Sequence, residues 1–69
     1  MLEVKARFAG EVEVLVRAGE RVPAGLGLVI IEGDKEIERL AAMKPATVTT
    51  VFVKTGDQVV DGQILLRLD

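Results

Sequence analysis

The chain has 69 residues, a formal charge of −2 and 49% hydrophobic residues, almost all of them Val, Leu, Ile and Ala. So short a chain makes one small domain with a modest core, and its interspersed charges and two aromatics, Phe8 and Phe52, argue against a nucleic-acid surface. With no His, Cys, Ser, Tyr or Trp it cannot assemble a Ser/His or Cys/His nucleophile pair, a His/Cys zinc site or a disulfide, and an independent enzyme is not expected.

Apolar and polar residues alternate from the first strand onward, the pattern of half-buried β-structure. Leu2, Val4 and Ala6 alternate with Glu3, Lys5 and Arg7, and Val12, Val14 and Val16 with Glu13, Leu15 and Arg17. Ala18-Gly19-Glu20 and Pro23-Ala24-Gly25 read as turns in which glycine supplies φ > 0. The apolar run 26–31 that follows is interrupted by Gly27 and is far too short to span a bilayer. Glu32-Gly33-Asp34-Lys35-Glu36 reads as the tip of a hairpin. Asp34–Met43 (DKEIERLAAM) fits a helix as well as a strand, but strand-like flanks on both sides favour strands. Val51 and Val53 resume the alternation, and Thr55-Gly56-Asp57 and Val60-Asp61-Gly62 repeat the two turns. The start Met1-Leu2-Glu3 lacks a basic segment followed by an apolar one, so a cytoplasmic protein that touches no membrane is expected.

The second half restates the first. At an offset of 37, identical pairs are Ala9/Ala46, Val14/Val51, Val16/Val53, Gly19/Gly56, Val22/Val59, Gly25/Gly62 and Leu28/Leu65. Such a repeat implies two halves with one local fold, related by a pseudo-two-fold axis. The expected architecture is all-β: about eight short strands in two antiparallel sheets packed face to face, each sheet drawing strands from both halves. Residues 1–69 form a single domain, and the Met1 start without a linker leans towards a free-standing one. Lys35 falls at the midpoint of the chain.

The ordered set Gly19-Glu20-Arg21-Val22, Gly25 to Glu32, Gly33-Asp34-Lys35-Glu36 and Val51-Phe52-Val53-Lys54-Thr55-Gly56-Asp57-Gln58-Val59 resembles the biotinyl/lipoyl attachment domains over essentially the whole chain. The resemblance implies a flattened β-barrel or sandwich of two quasi-symmetric four-stranded sheets, a barrel-sandwich hybrid of the single-hammerhead type. It also implies a swinging-arm carrier without catalysis of its own, whose hairpin lysine is modified and shuttles acyl or carboxyl groups between the active sites of a multienzyme complex. The implied partners are a lipoate or biotin protein ligase and acyltransferase, dehydrogenase or carboxylase components. An unmodified interaction or assembly module of the same fold is the alternative. The first copy, 10–19, looks one residue shorter than the family pattern, as if a bulge were missing.

Two lysines compete for the modified position. Ala42-Met43-Lys44 mimics the biotin-carrier tripeptide, but the family's distances from Gly25 and to Gly56 both select Lys35. The turn residues Gly33 and Asp34 would present the amine, with Gly33 supplying an unusual φ. Ile30, Ile31 and Ile37 would anchor the stems in the core, and Glu32, Asp34, Glu36 and Glu38 would surround the tip with carboxylates. Lipoyl acceptors typically carry Asp before the lysine and Glu three residues before it, as Asp34 and Glu32 do here, while biotin acceptors are flanked by Met. Gly33 and Glu36 depart from both patterns. Lipoate on Lys35 is slightly favoured over biotin, and no modification at all is the third possibility.

Overall fold

The computed structural model describes residues 2–69. Eight strands follow in chain order: β1 (Leu2–Lys5), β2 (Gly10–Val14), β3 (Arg21–Val22), β4 (Gly27–Glu32), β5 (Ile37–Ala41), β6 (Ala46–Val51), β7 (Gln58–Val59) and β8 (Ile64–Leu68). The helical alternative for 34–43 is not adopted. Ile37–Ala41 pairs with β4, whose Val and Ile side chains favour the pleated surface over a helix.

The strands form two four-stranded antiparallel sheets, ordered β1-β8-β6-β3 and β5-β4-β2-β7. Each sheet takes two strands from each half of the chain, and exchanging β1 with β5, β2 with β6, β3 with β7 and β4 with β8 turns one sheet into the other. The two inner faces enclose a core of Val12, Val22, Leu28, Val29, Ile31, Val48, Leu65 and Leu66, all 2% exposed or less. No buried side chain in it is polar or charged among the described residues. The molecule measures 31 × 20 × 17 Å, an elongated, flattened body.

Register refines the repeat. Val14 opposes Val29 and Val51 opposes Leu66, which keeps the offset of 37. Val12, however, opposes Ile31, and Val48 opposes Leu68. Thus Val12 is the mate of Val48, at an offset of 36. The extra residue lies at an irregularity between Val48 and Thr50 in β6, while β2 pairs without interruption. The first copy therefore lacks a bulge that the second possesses, and Ala9/Ala46 is an identity in sequence without equivalence in space.

The turns follow the same symmetry. Gly19, Gly25, Gly56 and Gly62 have φ of 92°, 87°, 98° and 88°, a region costly for any residue with a Cβ. The Gly19 N–H donates to the Val48 carbonyl at 2.6 Å, and the Gly56 N–H to the Val12 carbonyl at 2.8 Å. The Gly19 turn is thus tied to a second-copy strand, and the Gly56 turn to a first-copy strand.

Ile37 does not anchor the hairpin in the core. It is 68% exposed, because it opposes Glu32 on the outer face while Ile31, one residue along, points inward at 0%. Ile30 is half-buried. In urea denaturation, Leu28→Ala should therefore cost about 2–5 kcal/mol, whereas Ile37→Ala should stay within about 1 kcal/mol.

Candidate functional site

The candidate site is the connection between β4 and β5. These strands pair antiparallel from Glu32↔Ile37 inward, so the connection is a true hairpin. The Gly33 N–H donates to the Glu36 carbonyl at 2.8 Å and closes it, leaving Asp34 and Lys35 at the two tip positions. Both tip residues are exposed. Among the described residues, ion pairs join Arg7 to Glu38 and Arg67 to Glu3, and Lys35 takes part in neither. The tip thus offers a primary amine on a backbone fixed by a strand ladder on both sides.

Gly33 has a different role from the one its position suggests. Its φ is not positive; the positive-φ glycines are the four of the symmetric turns. Its lack of a side chain matters for space. A Cβ at Gly33 would stand 2.9 Å from the Ala9 carbonyl oxygen and 3.0 Å from Phe8 Cδ1. Gly10 serves the same contact from the other side, since a Cβ there would meet the Glu32 carbonyl oxygen at 2.5 Å. The β1–β2 connection, residues 6–9, is thereby packed directly against the hairpin, with Phe8 partly buried on the core. Phe8, Ala9 and Gly10 line one side of an open cleft whose other side holds Asp34, Lys35 and Glu36.

The acidic ring around the tip is narrower than expected. Glu32, Asp34 and Glu36 are exposed, but Glu38 opposes the buried Ile31 and turns inward. One of its carboxylate oxygens meets Arg7 Nη1 at 3.4 Å, and the other is buried without a hydrogen-bond partner. Glu38 thus helps hold the β1–β2 connection over β5. Sequence reasoning missed Arg7, Phe8 and Gly10 as neighbours of the lysine. An isolated glycine at the head of an alternating strand, as Gly10 is, was the one available sign of a close backbone approach.

Lys44 lies in a different setting. It is exposed beside Met43, which is 94% exposed, but the strands it joins, β5 and β6, belong to different sheets. Its connection therefore crosses between layers and is the symmetry mate of 6–9, not of the hairpin. The whole of β5 separates it from Lys35. It lies near the chain ends, where the Asp69 N–H donates to the Thr47 carbonyl at 2.8 Å and Leu2 opposes Leu68.

Comparison with known proteins places this geometry in context. A family model described as "Biotin-requiring enzyme" matches residues 2–68. The dihydrolipoyllysine-residue acetyltransferase component of the pyruvate dehydrogenase complex from Pseudomonas aeruginosa is 35% identical over 60 residues, covering 87% of this chain and 11% of that protein. The same component from Azotobacter vinelandii is 34% identical over 61 residues, covering 87% of this chain and 10% of that protein. Among solved structures, a single-chain, multi-domain long-chain acyl-CoA carboxylase superposes with a TM-score of 0.84 at 34% identity, over 93% of this chain and 7% of that one. The chain spans roughly a tenth of the length of the curated relatives it matches.

Filling the space at Gly33 should displace the hairpin from the β1–β2 connection. Gly33→Ala is expected to lower stability by about 1–3 kcal/mol, the usual range for overpacking, and to move the Phe8 ring and Ala9 resonances in a proton–carbon NMR map. An unchanged Phe8 environment would show that the contact does not position the tip.

Proposed function

We propose, from the premise that this chain belongs to the biotin/lipoyl family, that it is a carrier domain modified on the Nζ of Lys35. The observation that carries the reading is the placement of Lys35: an exposed lysine at the tip of a two-residue turn, on the one connection between the two repeats, in a strand-paired hairpin. The residues fit the attached group. The amine is outside every ion pair in the described structure, and its backbone is braced by the Gly33–Glu36 hydrogen bond and by Phe8 and Ala9.

Attachment would form an amide. The Lys35 Nζ attacks the carbonyl carbon of an acyl-adenylate supplied by a ligase; the new C–N bond forms as the C–O bond to the adenylate breaks, AMP leaves, and the amine releases a proton to solvent. The chain contributes position: a ligase can seat a rigid, protruding amine without reorganising the backbone. After the reaction the lysine charge is gone and a long flexible arm remains. Bound lipoate would supply a disulfide ring that accepts acyl groups, and biotin a ureido nitrogen that accepts a carboxyl group. Tethering keeps either at high effective concentration near its partner active sites.

Lipoate is the favoured group. Glu32 and Asp34 support it, as does the likeness to the two acetyltransferase components whose names specify a lipoyllysine. The proposed partners are accordingly a lipoate ligase and acyltransferase and dehydrogenase components, with a biotin ligase and carboxylase components if the group is biotin. We place this work in the cytoplasm.

Incubation with lipoate ligase, lipoate and ATP should add the mass of one lipoyl group to the intact protein. Lys35→Arg should abolish the increment and Lys44→Arg should leave it unchanged; the reverse pattern would move the site to Lys44. If neither lipoate ligase nor biotin ligase labels the wild-type chain, the carrier reading fails and an unmodified interaction module takes its place.

A further inference from the structure

The sheet that bears the lysine hairpin has an outer face unlike that of its symmetry mate. Register places its side chains in two rows across β5, β4 and β2: Ile37, Glu32 and Glu11 nearest the tip, then Arg39, Ile30 and Glu13. Ile37 is 68% exposed and Ile30 half-buried. Glu11 and Glu32 stand directly opposite each other, and like charges opposed across a ladder are destabilising. Arg39, the cation of these rows, is turned aside: its Nη2 donates to the Gly25 carbonyl at 2.8 Å.

On the equivalent face of the other sheet no two carboxylate side chains are opposed among the described residues: the mates of Glu11 and Glu32 are Thr47 and Asp69, which exchange backbone hydrogen bonds, and the mates of Arg39 and Ile30 are Glu3 and Arg67. Glu3 opposes Arg67 in the ladder and pairs with it at 3.2 Å. The Arg67 guanidinium also lies 5.2 Å from the centre of the Phe52 ring. Thr49 Oγ1 donates to the Arg67 carbonyl at 3.1 Å. One scaffold thus carries a face whose charges are matched and a face whose carboxylates oppose each other around an exposed isoleucine. Folding stability alone would favour the matched arrangement on both.

We infer that the Ile37–Glu32–Glu11–Glu13 face is the surface on which the ligase that acylates Lys35 docks, through a basic patch with an apolar socket for Ile37. The inference rests on the carrier reading. Charge complementarity identifies the occupant's chemistry: a cationic surface relieves the Glu11–Glu32 repulsion, and burying Ile37 removes apolar area from water. Position selects the ligase over enzymes that act on the loaded arm. The ligase must bring Nζ itself to its acyl carbon and therefore grips the backbone beside Lys35; Ile37 is two residues away.

The test is the kcat/KM for ligase-catalysed lipoylation of the whole chain at low and high salt, with the thermal midpoint of each variant measured alongside. Glu11→Gln combined with Glu13→Gln should lower kcat/KM about tenfold at low salt through KM, with the deficit closing at high salt as charges are screened. Ile37→Thr should lower it about tenfold at both salt concentrations. Glu3→Gln, on the opposite face, should change it by less than about twofold. If the wild-type chain is lipoylated and the face variants match it at both salt concentrations, the docking surface is overturned and the carrier reading stands. If neither lipoate ligase nor biotin ligase acylates the wild-type chain, both fall.

Discussion

Neither half of this chain can complete a sheet without the other, and every feature of the molecule depends on that exchange. In the sheet β1-β8-β6-β3, the two central strands come from the second half and the two edges from the first; in β5-β4-β2-β7 the centre is β4 and β2, with edges from the second half. The turns repeat the bargain in hydrogen bonds, with Gly19 bound to Val48 and Gly56 to Val12. Unpaired backbone groups inside a small core are costly. Pairing and burial therefore form together, and a domain of this size becomes stable only when the two halves interlock.

The interlock leaves a single connection of a different kind. Four strands of each half are consumed by the core, and the links within each half are short turns or crossings between sheets. The link between the halves is different: it joins adjacent antiparallel strands and protrudes as a hairpin. Its symmetry mate is the gap between Asp69 and Leu2, at the other end of the molecule, where Leu2 opposes Leu68. Lys35 and the place where Leu2 meets Leu68 are thus related by the pseudo-two-fold axis.

Symmetry stops at that end of the molecule. Phe8, Ala9 and Gly10 close on Gly33, and Arg7 holds Glu38, whereas the mate of this connection carries the exposed Met43 and Lys44. The core and turns obey the repeat because they answer to packing and backbone pairing. The surroundings of Lys35 depart from it, and the proposed attachment of a group to an accessible amine gives that departure a physical reason. The uncompensated carboxylates of the neighbouring face belong to the same departure.

The sequence alone determined the strands, the turns, the pairing of the halves and the centrality of Lys35. Alternation with period two, four glycines at matched turns and the spacing from Gly25 to Gly56 are local signals, and local signals survive in a linear reading. What only the tertiary structure decided concerns the directions and neighbours of side chains. The bulge in β6 moves the equivalence of Val12 from Thr49 to Val48, and a one-residue change in register reverses which face a side chain occupies. The same parity sends Ile37 outward and Glu38 inward, against their hydrophobicity. The demand on Gly33 comes from Phe8 and Ala9, 24 or more residues away in sequence, and the difference between Lys35 and Lys44 is whether the strands on either side pair with each other. Contacts between distant segments carry no local signal, so residues that brace the lysine became visible only once the sheets were assembled.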